Sequence, residues 1–260
     1  MKGAFGENVT VQVSGHVAVI TFDRPPHNHV SVELMSDLAD ALEAVDKEIG
    51  LRASVLQAQG KNFCAGADLV SSDGVGGSGM SGINPLYTQA VRLFSTQKPI
   101  VAAVQGAAVG AGLGLALVAD FRVASPDARF AANFVKLGFH PGFGITHTLP
   151  RVVGETKAEL MCLTGRRVKA EEGLPWGLVD EVVPLEDLRA AALRLAGEIA
   201  ENAPLALVST RKTMRGDLAA AVKAQTDIEF VEQSTLRATE DFKEGVRSVA
   251  ERRAGNFQGR

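Results

Sequence analysis

The chain has 260 residues, 46% apolar and 22% charged, proportions that suit a soluble globular fold. Its 30 acidic and 27 basic residues leave a formal charge of −3 with no long block of either sign, which argues against nucleic acid or an anionic membrane as a partner. Two cysteines, Cys64 and Cys162, are too few for a disulfide framework and lack zinc-ligand spacing; no apolar run reaches the roughly 18 residues of a membrane span. With no secretory signal in Met1–Gly6, the expected location is cytoplasmic.

The β-branched runs Val9–Val13 and Val17–Phe22, separated by Ser14-Gly15-His16, predict an opening hairpin. Asp23-Arg24-Pro25-Pro26 stops the second strand, because proline cannot donate to the ladder. A helix follows over Val32–Ile49, with Ser31 as its cap and Leu34, Leu38, Leu42, Val45 and Ile49 on one face. Ser54–Ala58 is a short strand, and the Ser/Gly-rich stretch 71–82 reads as a loop. Helical periodicity resumes over Leu86–Phe94. Strands are expected at Ile100–Val104 and Phe121–Ala124, with a helix between them. Alternating strands and helices predict an α/β core over 1–185. From 186 to 260 the pattern is almost purely helical, broken at Asn202-Ala203-Pro204 and Arg215-Gly216.

Two small-residue segments carry the chemical signal: Phe63-Cys64-Ala65-Gly66-Ala67-Asp68 and Gly106–Gly114, the second just beyond an apolar strand. Glycine and alanine allow close approach of another backbone or a ligand. A helix beginning near Gly110 would present orphan N–H groups suited to an oxyanion on a carbonyl. Tight helix–sheet packing is the alternative use of the same glycines. The glycines at 110, 112 and 114 do not fit a dinucleotide fingerprint, and no Gly-Lys-Ser/Thr closes a phosphate loop.

The chain resembles the crotonase (enoyl-CoA hydratase/isomerase) family. The resemblance is carried by Asp23-Arg24-Pro25, FCAGADL at 63–69, KPIVAAVQGAAVGAGLGLALVAD at 98–120, ARF at 128–130, LGFHPGFG at 137–144, LTGRR at 163–167, GLVDEVVP at 177–184 and EDFKEGVRSVAERRAGNF at 240–257, all in family order. It implies a spiral of β-β-α units with a C-terminal helical region used in a homotrimer or dimer of trimers. It implies an acyl-CoA thioester as substrate, coenzyme A entering as part of that substrate, with no separate cofactor and no metal. By position, the backbone N–H groups of Ala67 and Ala111 form an oxyanion hole for a thioester enolate, flanked by Ala65, Gly66, Asp68 and Gly110. Arg24 and Lys61 are candidates for the CoA phosphates, with solvated surface charge as the alternative.

The family's hydratases use two glutamates, at the positions held here by Gly114 and Phe134, and neither residue can exchange a proton. Ordinary two-glutamate hydration is therefore not expected. A ring-forming branch of the family carries an aspartate where this chain has His140, whose imidazole could work near neutral pH. His140 is accordingly the expected acid/base group, with a structural histidine in a Pro-Gly turn as the alternative; His27 and His29 could also reach the thioester end. The expected activity is that of an acyl-CoA lyase or isomerase. The alternative is a catalytically weak acyl-CoA-binding or scaffold protein of the same fold.

Overall fold

The computed structural model describes residues 3–67 and 84–260; the expected 71–82 loop and Asp68 lie outside them. The elements are β1 (Gly3–Phe5), β2 (Val9–Ser14), β3 (Val17–Phe22), α1 (Val32–Lys47), β4 (Ala53–Ala58), α2 (Pro85–Phe94), β5 (Ile100–Val104), β6 (Ala107–Val109), α3 (Ala111–Val118), β7 (Phe121–Ala124) and β8 (Arg129–Ala131). After a 3₁₀ turn at Asn133–Leu137 come α4 (Ile145–Val153), α5 (Glu155–Thr164), β9 (Val168–Lys169), α6 (Ala170–Gly173) and β10 (Glu181–Val182). The chain ends in α7 (Leu188–Ala200), α8 (Pro204–Arg215), α9 (Leu218–Arg237) and α10 (Glu240–Ala250). This is the β-β-α succession with a C-terminal helical region.

The main sheet runs β1-β2-β3-β4-β5-β7-β10, antiparallel through β3 and parallel beyond it; a smaller sheet runs β6-β8-β9. All residues of β4 and β5 are buried, as expected of parallel strands covered on both faces. One face carries Ile20, Leu56 and Ala102 against α1, α2 and α3. The other carries Val17, Val55, Val101 and Val123 against Leu188, Ala192 and Ala196 of α7. Helix α3 is buried around its whole circumference, which accounts for its uniformly apolar or glycine sequence.

Asp120 ties the helical region to the core. Its carboxylate accepts from the Ile100 N–H at 2.8 Å and pairs with Arg211 at 2.9 Å and Arg215 at 3.0 Å. Arg211 and Arg215 come from the last turns of α8, so one partly buried carboxylate fixes that helix to the start of β5. Removing it would leave two poorly solvated cations, a loss on the order of 3–5 kcal/mol.

Candidate active site

The two small-residue segments lie side by side. The Cys64 N–H donates to Ala107 O at 2.8 Å, and the Val109 N–H donates back to Cys64 O at 3.1 Å. Three glycines permit this approach. Gly66 has φ +95°, and a Cβ there would stand 2.9 Å from Val109 O; a Cβ on Gly112 would stand 2.1 Å from Cys64 O. Gly110 caps α3 at φ 56°, ψ −124°, a conformation that side-chain-bearing residues rarely adopt. The Ala111 N–H is then the first of a helix, with no acceptor inside that helix.

Ala65, Gly66, Ala67, Gly110 and Ala111 all line one cavity of about 290 Å³, so the structure brings these sequence candidates together. Much of the remaining described wall is apolar: Leu86 from α2, Phe134 and Leu137 from the 3₁₀ turn, Phe139, Phe143, and Val246 and Val249 from α10. Phe134 forms part of this wall, as its apolar character predicts. Gly114 is different. A Cβ there would meet the Phe143 ring at 2.5 Å, so the fully buried Phe143 fills the space that a side chain at 114 would need. Phe143 itself holds φ 66°, a costly conformation for an aromatic residue.

His140 is absent from the cavity wall. Its half-buried ring turns to its own chain, Nδ1 lying 2.8 Å from Pro141 O. With a carbonyl as its partner, Nδ1 carries the proton. The His140 carbonyl also accepts from Gln233 Nε2 at 2.9 Å. Arg24 and Lys61 are likewise outside the wall; Arg24 Nη1 donates to His29 O at 3.1 Å, and Lys61 is exposed.

The imidazole that does line the cavity is His29, with Nδ1 3.2 Å from Gly66 O, beside the first small-residue segment. Its placement follows from Asn28. That residue adopts φ 54°, accepts from the Arg24 N–H at 2.7 Å and donates to Gln59 O and Asn62 O at 2.8 and 2.9 Å. Asparagine tolerates left-handed backbone, and its amide pins the turn that presents His29.

Tyr87 and Gln233 complete the polar wall, and sequence reading missed both. The Tyr87 hydroxyl donates to Gln233 Oε1 at 2.5 Å, and a Cβ on Gly142 would fall 2.1 Å from that hydroxyl. Burial, then the nearby Glu229 charge, push the Tyr87 pKa well above the ordinary phenol range, so it stays protonated. The pair joins α2 to α9, more than a hundred residues apart in sequence, and no local pattern marks it. Glu229, also on α9, accepts from the Gly144 N–H at 2.7 Å and the Thr146 hydroxyl at 2.6 Å, fixing the start of α4; burial raises its pKa. Burial pushes the Cys64 thiol up to about 12, which leaves it an unreactive core group. Among the described residues, no group of three His, Cys, Asp or Glu is placed to hold a metal ion.

A family model described as enoyl-CoA hydratase/isomerase matches residues 12–260. The chain is 35% identical to (E)-benzylidenesuccinyl-CoA hydratase of Thauera aromatica, over 96% of this chain and 99% of that one. It is 33% identical to 1,2-epoxyphenylacetyl-CoA isomerase of Escherichia coli, over 98% and 99%. The solved enoyl-CoA hydratase/isomerase from Pseudoalteromonas atlantica superposes with a TM-score of 0.87 at 34% identity, over 97% of this chain and 100% of that one. On sequence and fold together, this chain belongs to the enoyl-CoA hydratase/isomerase family.

Proposed function

We propose that this chain is an acyl-CoA enzyme that stabilises a thioester enolate and moves a proton on the acyl chain, without two-glutamate addition of water. The observation that carries the reading is the convergence of Ala67 and Ala111 on one largely apolar cavity. Two backbone donors at a largely apolar wall favour negative charge on a carbonyl oxygen, and need no reorganisation when it forms.

In this reading the thioester oxygen sits between the Ala67 and Ala111 N–H groups. His29 takes the proton from the carbon next to the carbonyl. Its Nδ1–H donates to Gly66 O, leaving Nε2 as the basic atom. The electron pair from the broken C–H bond moves to the thioester oxygen as an enolate. For a 3-enoyl thioester, the dienolate is reprotonated at the γ carbon, and the double bond moves into conjugation. No water is consumed. His140 supports the cavity through its carbonyl to Gln233 and takes no proton. The relatives include enzymes named as hydratases and one named as an isomerase. Phe134 supplies neither the second hydratase glutamate nor the glutamate of a family isomerase, and the reading rests on proton transfer by the single imidazole among the described residues that line the cavity.

The test offers the purified chain crotonyl-CoA and 3-hexenoyl-CoA and follows products by chromatography and mass spectrometry. Conversion of 3-hexenoyl-CoA to its 2-enoyl isomer, much faster than crotonyl-CoA hydration, is the expected result. Rapid hydration with no isomerisation would overturn the reading.

A further inference from the structure

Arg237 stands out in the cavity wall. Among the described residues that line it, Arg237 alone carries a permanent charge. It closes α9, half-buried, with its guanidinium carbon 5.1 Å from the Phe139 ring centre and 5.6 Å from that of Phe242. The buried guanidiniums of Arg122, Arg211 and Arg215 each meet a carboxylate within 4.0 Å; among the described residues, Arg237 meets none. Nor do its N–H groups reach a hydrogen-bond acceptor among those residues.

A guanidinium partly removed from water, without an anion, is an unfavourable arrangement that two aromatic faces offset only in part. Burial pulls its pKa below the usual guanidinium range, but it remains charged at neutral pH. Its planar fork of donors matches a carboxylate in two-point contact. The same cavity holds Ala67 and Ala111, and about 290 Å³ is room for an acyl group rather than for the whole of coenzyme A.

We infer that Arg237 binds a carboxylate carried on the acyl chain, so that the preferred substrates are CoA monothioesters of dicarboxylic acids. This inference rests on the reading of Ala67 and Ala111 as the thioester site. The thioester oxygen is held at the backbone donors, the chain crosses the apolar wall, and the distal carboxylate meets Arg237. The Phe139 and Phe242 rings, 4.9 Å apart and tilted by 40°, hold the guanidinium in place before the ligand arrives.

The test is isothermal titration of the full chain with matched saturated pairs: succinyl- and butyryl-CoA, glutaryl- and pentanoyl-CoA, adipyl- and hexanoyl-CoA, with CoA alone as reference. Wild type is expected to bind the carboxylated member about tenfold or more tighter at the best chain length, as a charge-assisted two-point contact with a half-buried guanidinium predicts. Arg237→Met should erase that preference while changing the affinity for CoA and for the methyl-ended thioesters less than about twofold. Arg237→Lys, which keeps the charge but loses the fork, should retain part of it; with the wild-type ratio it decides the matter should the methionine variant fold poorly. Equal affinity for both members of every pair would overturn the inference and leave the thioester site standing. Weakening of CoA alone by Arg237→Met, as much as of the carboxylated thioesters, would also overturn it, placing the guanidinium on the CoA phosphates. Absence of binding by any thioester would overturn both.

Discussion

The cavity has two kinds of wall. One is main chain: the segments around Gly66 and Gly110, whose donors belong to Ala67 and Ala111. The other is side chain: Phe134, Phe143, Tyr87, Gln233 and Arg237, drawn from distant elements. The first kind constrains sequence tightly, because the approach of Val109 to Gly66 and of Cys64 to Gly112 leaves no room for a Cβ. The second, which includes Phe134, constrains local sequence less, because its contacts form only when distant elements meet. A hydrogen-bonding frame can thus persist while the chemistry around it changes.

Breaking the main-chain wall should have the largest effect. Gly112→Ala would drive a methyl group to 2.1 Å from Cys64 O, a backbone atom that cannot move alone. We expect a loss of about 3 kcal/mol or more in stability. In whatever folds, we expect a fall in turnover of roughly 10²–10³-fold from the displaced donor. Denaturant melts and steady-state kinetics measure both; near-wild-type values would show that the two segments are not held as tightly as the geometry requires.

The side-chain wall is tested by Gly114→Glu. The Phe143 ring blocks the new side chain, and a carboxylate would be buried without a partner, so about 3 kcal/mol or more should be lost and no hydration gained. Combining it with Phe143→Ala should recover at least about 1 kcal/mol relative to additivity, since the ring is the obstacle. Strict additivity in a double-mutant cycle would remove Phe143 from this role.

A smaller effect separates the histidines. His29→Ala should lower turnover by roughly 10²-fold, with little change in thioester affinity, if its ring moves the proton. His140→Ala should cost less than about tenfold, because its ring lies outside the wall and bonds its neighbour's carbonyl. The reverse order would return the acid/base role to His140.

The smallest effect is a pH slope from the wall's support. Burial raises the Glu229 carboxyl above its ordinary value of 4.5, so the folded state holds this proton more firmly than the unfolded chain. The group's contribution to stability is therefore fully present below the unfolded value and is lost as pH rises through the folded one. Glu229→Gln should flatten that part of the stability–pH curve. An unchanged slope would assign it to other groups.

Much of this architecture was legible in the sequence. Val17–Phe22 forms a strand as its β-branched run predicts, Ile100–Val104 and Phe121–Ala124 form the expected strands on either side of a helix, and Ser31 caps α1 through the Leu34 N–H. The helix predicted to reach Ile49 stops at Lys47; Ile49 is 86% exposed, an apolar residue at helical spacing with nothing to pack against. Strand β6 lay hidden inside the glycine segment, since three residues make no periodic signal and pairing with β8 defines it. In the site, glycine spacing pointed to the main-chain wall because glycine is a local requirement. Tyr87, Gln233 and Arg237 could not be found that way. Their roles arise only when α2 and α9 meet, and their local sequence reads as ordinary helix.

If the Ala67 and Ala111 donors hold an enolate, the enzyme should exchange protons at the acyl carbon even of a thioester that can react no further. Butyryl-CoA, which can neither be hydrated nor isomerised, is incubated with the enzyme in D₂O and followed by mass spectrometry. Deuterium is expected to enter next to the carbonyl, with Gly112→Ala abolishing the exchange and His29→Ala slowing it strongly. Butyryl-CoA that binds yet gains no deuterium above the uncatalysed rate would contradict that role for the two donors.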